Sequence, residues 1–314
     1  MPRLPAAFRR GIVLLAFIAL LPACQPREGV GGQAIGVAKA VRIEAATRPV
    51  DAANLLRDRL LAHDGAGFAR LAVPAALHAR LVAGWKDGRS RWPLDELPLD
   101  GRLPKMLATL QAPGADKALI KTFRQQFAGA DRDIDQAIRT LVLFGGEYVQ
   151  NDGEYTPEER DHIAQAIVAL GAWGLQAPFA EKPRAQRFFT ALTAAARRSG
   201  IPGKSGQAAF ARLGMDASLT RLSPFLATLL AQLRQQYGLD IDASLRALRV
   251  TLLQQTGDTA RLRLQYPLAG REIDAVVPAV RIDGHWYLAD FVQRAESSLA
   301  ATPASARGKK PAPP

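Results

Sequence analysis

The 314-residue chain contains one cysteine, Cys24, so it cannot close an internal disulfide. Its four histidines are scattered, with no pair at the spacing of metal ligands. After residue 21 no apolar run approaches the roughly 20 residues that span a bilayer. Composition therefore argues against a disulfide-stapled fold, a histidine-based metal centre and a membrane-embedded body.

The chain is 48% hydrophobic and 22% charged, which predicts a packed core in one large domain or two small ones. Its formal net charge is +12. Three of those charges (Arg3, Arg9, Arg10) lie ahead of Cys24, which leaves about +9 after it. A basic chain can bind nucleic acid, but no Lys/Arg block interleaved with aromatic residues forms a stacking groove. We expect no nucleic-acid partner and favour anionic envelope polymers or lipid headgroups.

The first 24 residues have the layout of an export signal. A basic segment, Met1–Arg10, precedes the apolar run Gly11–Leu21, and Pro22, Ala23 and Cys24 follow. Eleven apolar residues span only about half of the roughly 30 Å hydrocarbon core of a bilayer. The run is therefore predicted to be a signal peptide rather than a transmembrane helix.

Leu21-Pro22-Ala23-Cys24 resembles the lipobox of bacterial lipoproteins, although Pro22 replaces the usual small residue. The resemblance implies that residues 1–23 are removed and that Cys24 carries a lipid that holds the chain on a bilayer. A plain secretory signal with a coincidental cysteine is the alternative. In lipoproteins an Asp after the cysteine signals inner-membrane retention. Gln25 implies the outer membrane, facing the periplasm.

The mature chain divides into a tether, a body and a tail. Residues 24–42 are predicted to be a lipidated N-terminus with a Gly-rich flexible tether. Residues 43–296 form the body, and residues 297–314, which end in Pro-rich low-complexity sequence, are predicted to be a disordered tail.

Apolar spacing of three and four residues predicts helices through most of the body. The predicted ranges are 50–63, 74–82, 116–128, 132–149, 157–173, 184–199 and 218–237. The Pro-rich stretch between Trp92 and Pro104 is predicted to be an extended connection.

After Leu248 the apolar period becomes two. Leu262, Leu264 and Tyr266 alternate with polar residues, and Asp283-Gly284 is a strong hairpin signal. We expect Val280 and Ile282 to lie opposite Trp286 and Leu288 across this turn. The sequence therefore predicts an α+β fold: a mostly helical body with a C-terminal antiparallel sheet of about four strands at residues 249–293.

The sequence from Gly257 to Leu288, with its Asp-Gly-His-Trp-Tyr-Leu hairpin, resembles the closing strands of NTF2-like domains in small bacterial lipoproteins. The resemblance covers about 45 residues and implies that N-terminal helices lie in the concavity of a curved sheet. Residues 50–82 could supply those helices. NTF2-like folds host enzymes and inert modules alike, so the resemblance implies no activity.

Two local motifs have an ordinary structural explanation. The segment from Asn151 to Glu159 partly matches a calcium-binding loop. Its first and third ligand positions would be Tyr148 and Gln150, where such a loop needs carboxylates. Thr156, Pro157 and Glu159 instead predict a helix N-terminus with a capping box. Gly203-Lys204-Ser205 lacks the preceding glycine and strand of a phosphate loop, so we interpret it as a linker.

His162 follows three acidic residues, which could orient an imidazole for acid–base chemistry. The favoured interpretation is a solvated side chain in a charged first helical turn. His285 is expected to begin an exposed strand with its ring away from the core face of Trp286.

Trp85 and Trp92 flank a charged stretch that contains Arg89 and Arg91. These four residues are the candidate contact surface, and a buried structural role for both tryptophans is the competing interpretation. We expect no cofactor, no metal and no catalytic residue. The favoured function is a non-enzymatic binding or scaffolding module that contacts envelope polymers or another envelope protein. The alternative is an envelope-polymer hydrolase or lyase with its site in the concavity of the sheet.

Overall fold

A computed structural model describes residues 45–96, 102–151 and 155–300. Helices fill most of these ranges: α1 (Pro49–Leu61), α2 (Gly65–Leu71), α3 (Ala75–Lys86), α4 (Leu103–Gln111), α5 (Ala115–Gln126), α6 (Asp131–Asn151), α7 (Pro157–Gly174), α8 (Lys182–Arg198), α9 (Gln207–Leu213), α10 (Met215–Tyr237), α11 (Ile241–Arg246) and α12 (Ala289–Ala300). Short 3-10 helices lie at Leu94–Glu96 and Gly203–Ser205. Within the described ranges, no helix has the length and apolar character needed to cross a bilayer.

Four strands form one antiparallel sheet in chain order: β1 (Arg249–Thr256), β2 (Thr259–Leu268), β3 (Arg271–Ile282) and β4 (His285–Leu288). Each strand pairs with the next one along the chain, so the sheet is a meander. The predicted α+β fold, mostly helical with a small C-terminal antiparallel sheet of four strands, is confirmed. The likeness to NTF2-like domains stays a prediction.

Two-residue turns connect β2 to β3 and β3 to β4. Both residues of each turn have positive φ: 51° at Ala269, 82° at Gly270, 49° at Asp283 and 80° at Gly284. Such turns match the right-handed twist of the strands they join, which explains why Asp-Gly at this position predicted a hairpin.

The predicted pairing across the second turn was wrong by one residue. A two-residue turn places Ile282 opposite His285 and Arg281 opposite Trp286. The guanidinium of Arg281 lies 5.8 Å from the centroid of the Trp286 ring. Trp286 and Leu288 are buried as expected, but their cross-strand neighbours are Arg281 and Ala279 rather than Val280 and Ile282.

The alternation predicted for β2 is confirmed. Leu262, Leu264 and Tyr266 are buried, whereas Arg261 and Arg263 are exposed. Helices α1, α7, α11 and α12 contact the sheet, and its buried side chains belong to the main core of the protein.

Helix α7 also covers a free edge of the sheet. The short strand β4 pairs with only the last residues of β3, from Ala279 to Ile282. The side-chain amide of Gln165 accepts from the backbone N–H of Asp274 at 2.9 Å and donates to its carbonyl at 2.8 Å. Both backbone groups of Asp274 on the uncovered part of β3 are thereby satisfied.

Five helices were not predicted, namely α2, α4, α9, α11 and α12. The Pro-rich connection was expected to stay extended to Pro104, but Pro104 lies in the first turn of α4, where the missing N–H of proline costs nothing. Residues 97–101 of that connection lie outside the described residues.

The C-terminal boundary of the sheet was also wrong. Residues 289–293 were assigned to the sheet and residues from 297 to the tail, whereas α12 runs from Ala289 to Ala300. Phe291, Ala295 and Ser298, at helical spacing, are buried. Residues 301–314 of the predicted tail lie outside the described residues.

Helices α6 and α7 form a hairpin with a close seam. A Cβ atom on Gly171 would clash with the Cγ2 methyl of Val142, and a Cβ on Gly174 would lie 3.4 Å from Ile138. The glycines of α7 therefore let the two helix backbones approach closely. Of the described residues of α6, Val149 is the buried one.

Candidate functional site

Three of the four residues of the predicted contact surface, Trp85, Arg91 and Trp92, form a packed corner, and the fourth, Arg89, is exposed. Trp85 and Trp92 are both 0% exposed, so the competing interpretation, a structural role for both tryptophans, is confirmed. Helix α3 continues past the predicted end at Val82, which places Trp85 one turn after Leu81 on the buried face. The Trp85 indole N–H donates to the carbonyl of Trp92 at 2.8 Å.

The two arginines of the corner differ in role. Arg91 donates to the carbonyl of Trp85 at 2.6 Å, and its guanidinium carbon lies 5.3 Å from the Trp85 ring centroid. Burial lowers the pKa of Arg91. Arg89 is exposed and pairs with Asp87 at 2.9 Å. Both rings are therefore inaccessible, Arg91 is half-buried against the corner, and Arg89 is the fully exposed member of the four.

A cleft of about 390 Å³ opens between the helices α1 to α3 and the β3–β4 turn. Its walls are mostly apolar, and they include Leu55, Leu71 and Val73. Its polar lining residues come from distant parts of the chain: Arg70, His78, Asp283, His285 and Tyr287. This spatial grouping had no sequence signal, because residues of α2 and α3 meet a turn about 200 positions later in the chain.

His78 is the most enclosed polar side chain of the cleft. Its Nε2 atom has no hydrogen-bond partner among the described residues and lies 3.9 Å from a carboxylate oxygen of Asp216. Burial lowers the pKa of His78, and Arg70 lowers it further, while Asp216 opposes both effects. The imidazole is therefore neutral at pH 7 and could donate or accept a single hydrogen bond at Nε2.

The second wall of the cleft is the β3–β4 turn. The Nδ1 atom of His285 lies 3.2 Å from the carbonyl oxygen of Asp283, which is hydrogen-bonding distance. Burial raises the pKa of Tyr287, and Asp283 raises it further, so the phenol keeps its proton at pH 7. Two imidazoles, one phenol, one guanidinium and one carboxylate thus line a mostly apolar cleft, a composition that suits a small, partly apolar molecule.

His162 is buried rather than solvated, so the favoured interpretation of this residue was wrong. Its Nε2 lies 2.8 Å from the hydroxyl of Tyr266, and its position on α7 shares a face with the buried Ala166 and Ala169. Burial lowers the pKa of His162 to about 4, against the smaller opposing effects of Asp161 and Glu159. Burial also raises the pKa of Tyr266. At pH 7 both groups are neutral and form one hydrogen bond between α7 and β2.

A buried ionic cluster, missed in the sequence, lies beside this contact. Arg294 of α12 donates to Glu96 at 3.4 Å and to Glu159 at 2.9 Å. Burial raises the pKa of the nearby Asp290 to about 6, with a further contribution from Glu159 and opposition from Arg294. The cluster joins α12 to Glu96 and to the N-terminus of α7. It had no sequence signal, because residues 289–293 were not recognised as part of a helix.

The predicted capping box is confirmed. The hydroxyl of Thr156 accepts from the N–H of Glu159 at 3.2 Å, and the carboxylate of Glu159 accepts from the N–H of Thr156 at 2.8 Å. Glu159 therefore serves both the helix N-terminus and Arg294. Gly203-Lys204-Ser205 forms a 3-10 turn in which Gly203 packs directly on the backbone of Ala108.

Cys24, the predicted lipid acceptor, lies outside the described residues. Within the part of the chain that the structure describes, no group of three or more His, Cys, Asp or Glu side chains could hold a metal ion. The cleft is the described pocket in which two histidines and a tyrosine come together.

No protein-family model matches the chain, and no curated protein and no solved structure matches it either.

Proposed function

We propose that this chain is an exported bacterial lipoprotein, held on a membrane by lipid on Cys24, with a body that binds a partner rather than catalyses a reaction. The observation that carries the anchor is the sequence Leu21-Pro22-Ala23-Cys24 after a basic segment and an apolar run. Gln25 favours the periplasmic face of the outer membrane.

Replacement of Cys24 by serine tests the anchor, because the chain has no other thiol to carry lipid. The Cys24→Ser chain should lose incorporation of labelled fatty acid and lose its lipid attachment, which leaves a soluble or an uncleaved product. A Cys24→Ser chain that is still cleaved and still withstands detergent-free washing of the membrane would contradict the proposal. Gln25→Asp is the control for sorting, since it should keep the lipid and move the protein to the inner membrane.

Two features support a binding role for the body. The core face of the sheet is filled by packed side chains such as Leu262, Tyr266 and Trp286. Leu141, Leu143 and Phe144 of α6 are all exposed, Leu141 and Phe144 on one side of the helix and Leu143 on the other. A filled sheet with an exposed apolar surface is typical of a protein that works through contacts.

The cleft supports a second candidate, a hydrolase or lyase that acts on an envelope polymer. His78 and His285 line it from opposite walls, and an imidazole is a common side chain for proton transfer in enzymes. Purified peptidoglycan incubated with the protein tests this candidate directly. Release of soluble fragments that is lost in His78→Gln and His285→Gln, with unchanged melting temperature, would establish catalysis. Absence of release from peptidoglycan would favour the binding role.

A further inference from the structure

Helices α8 and α10 border a polar groove of about 650 Å³ on the surface of the body. Helix α8 lines it from Pro183 to Arg198, which is nearly its full length, and α10 lines it from Thr228 to Gln236. Four glutamines, two threonines and two arginines supply its polar side chains, and two alanines and a proline supply the rest. The described lining residues thus include no acidic and no aromatic side chain.

The positive charge of the body is concentrated on these two helices. Helices α8 and α10 together carry seven basic residues and one acidic residue, Asp216. The rest of residues 45–300 carries 25 basic and 26 acidic residues. Asp216 lies in the first turn of α10, about 18 Å along the helix axis from Thr228. The groove therefore lies in a basic part of a body that is otherwise close to neutral.

Two arginines of the groove have no carboxylate partner within the described part of the chain. Arg187 and Arg198 are both exposed. By contrast, Arg184 of the same helix is bound to Glu181 at 2.7 Å and to the carbonyl of Gln236 at 2.9 Å. Arg187 and Arg198 are three turns apart on the same side of α8, about 16 Å along its axis. Two cations at this spacing suit an elongated ligand with several acidic groups better than one small anion.

A series of hydrogen bonds holds the amides of the groove in place. Nε of Arg187 donates to the side-chain oxygen of Gln236 at 2.9 Å. The amide of Gln236 donates to Gln232 at 3.3 Å, and that of Gln232 donates to Gln235 at 3.0 Å. The series does not use the two terminal nitrogens of Arg187 or the amide nitrogen of Gln235. These side chains are ordered before a ligand arrives, which lowers the entropic cost of binding.

The lining discriminates between classes of anionic polymer. Without an aromatic side chain the groove offers nucleic-acid bases nothing to stack on, and without a large apolar side chain it offers a bilayer nothing to insert. Amides and hydroxyls donate and accept hydrogen bonds, as sugar hydroxyls do, and guanidinium groups bind acidic groups. Six neutral polar side chains accompany two arginines, so hydroxyl groups as well as charge match the groove.

We propose that the groove between α8 and α10 binds an acidic polysaccharide. The inference rests on the proposed binding role of the body and names the class of its partner. Acidic groups of the polysaccharide pair with Arg187 and Arg198, and its hydroxyl groups exchange hydrogen bonds with Gln235 and the neighbouring amides. The small side chains of Ala191 and Ala194 let the sugar rings approach α8.

Calorimetric titration of the full chain in nonionic detergent, at physiological ionic strength, tests the ligand class. A galacturonate hexamer carries hydroxyls and carboxylates, maltohexaose carries hydroxyls alone, and hexaglutamate carries carboxylates without hydroxyls. The galacturonate hexamer should bind at least about 10-fold more tightly than either of the other two.

Paired substitutions locate the site. Arg187→Gln with Arg198→Gln should weaken binding of the galacturonate hexamer by about 10-fold or more, because two charge-assisted contacts are lost. Arg249→Gln with Arg261→Gln is the matched control. It removes the same charge from exposed arginines of the sheet that already have carboxylate partners, and it should change the dissociation constant by about twofold or less. Melting temperatures should be retained in both double variants, because all four side chains are exposed.

Several outcomes would overturn the inference. Equal affinity for the galacturonate hexamer and hexaglutamate would mean that charge alone is recognised. Tighter binding of single-stranded DNA would make nucleic acid the partner. Equal weakening by the two double variants would place the site outside the groove, and no binding of the galacturonate hexamer would leave the groove without this ligand.

These results are distinct from failure of the proposed function. Binding is measured on the chain in solution, so it does not depend on lipid at Cys24. Release of peptidoglycan fragments through the cleft of His78 would contradict the binding role of the body and leave the titration of the groove unchanged.

Discussion

The C-terminal sheet and the α6–α7 hairpin bury their apolar side chains to very different extents. Strand β2, with 10 residues, buries Leu262, Leu264, Tyr266 and Leu268. Helix α6, with 21 residues, buries Val149 and leaves Leu141 and Phe144 exposed. The strand has a neighbouring strand on each side and helices against its core face, whereas the helix has one close partner. Apolar sequence alone does not separate the two cases, since the number of packed neighbours sets the burial.

The two regions also differ in how they hold their helices. The sheet is joined to α7 and α12 by buried polar contacts, such as His162 with Tyr266 and Glu159 with Arg294. The hairpin seam is held by close backbone approach at Gly171. Stability near the sheet should therefore depend on pH, and stability of the hairpin should depend on side-chain volume.

Truncation of Trp286 to alanine should have the largest effect of the substitutions considered. Trp286 is 3% exposed, and its loss leaves a large cavity on the core face of the sheet. We expect a destabilisation of about 3–5 kcal/mol, measured by urea unfolding. A loss of that size is comparable to the whole stability of many domains, so the variant should also accumulate poorly.

His285→Ala is the neighbouring control. His285 lies on the other face of β4, and its removal should change the free energy of unfolding by no more than about 0.5 kcal/mol. Equal melting temperatures for Trp286→Ala and the wild type would mean that the sheet contributes little to the core.

Asp290→Asn should change how stability depends on pH. The pKa of Asp290 is raised to about 6 in the folded state, above the roughly 3.9 of an unfolded aspartate. Ionisation of this carboxyl therefore costs stability as pH rises through 6. The shift corresponds to about 2–3 kcal/mol at pH 7.5, which the neutral Asn should recover in urea unfolding.

His162 has the opposite linkage. Its folded pKa of about 4 lies below the unfolded value near 6.5, so its contribution is complete above pH 6.5 and is lost as pH falls toward 4. In the wild type the two groups oppose each other between pH 4 and 6. In Asp290→Asn the loss of stability from pH 7.5 to pH 5 should be steeper. An unchanged profile in Asp290→Asn, matching that of the exposed Asp87→Asn, would contradict the buried state of Asp290.

Much of the sheet could be predicted from local sequence because strand period and turn chemistry are local properties. The alternation around Leu264, the Asp283-Gly284 turn and the capping box at Thr156 each depend on neighbours within a few residues. The same local signals failed for α12. No turn residue follows Leu288, so the sequence offers no local signal that the strand ends there, and the prediction extended the sheet to residue 293.

The polar contacts could not be predicted, because burial of a polar residue is decided by distant segments. His162 sits among acidic residues and resembles an exposed side chain, but Tyr266 supplies a partner from β2. The Trp85–Trp92 corner had the same difficulty, since Phe210 contributes an edge contact at 6.3 Å from far along the chain. The cleft lined by His78 and His285 likewise could not be predicted, because its two walls are far apart in the sequence.

Gly171→Ala should loosen the hairpin. The new methyl would clash with Val142, whose branched side chain has few alternative rotamers. Overpacking costs about 1–3 kcal/mol, and the better helix propensity of alanine returns about 1 kcal/mol. We expect a net loss of up to about 2 kcal/mol, with hydrogen-exchange protection reduced in α6 and α7 and retained in β2. Loss of protection throughout the body would mean that hairpin and sheet unfold as one unit.

Gly146→Ala, on the partner helix, should have the smallest effect and the opposite sign. An added Cβ at Gly146 meets no atom within 4 Å in the described residues, so the substitution brings helix propensity without a clash. Alanine should then stabilise α6 by about 0.5–1 kcal/mol, a change visible as slower hydrogen exchange in that helix. Gly146 is one turn from Leu143, outside the seam. If Gly146→Ala destabilised the hairpin as much as Gly171→Ala does, the seam would involve the opposite flank of α6.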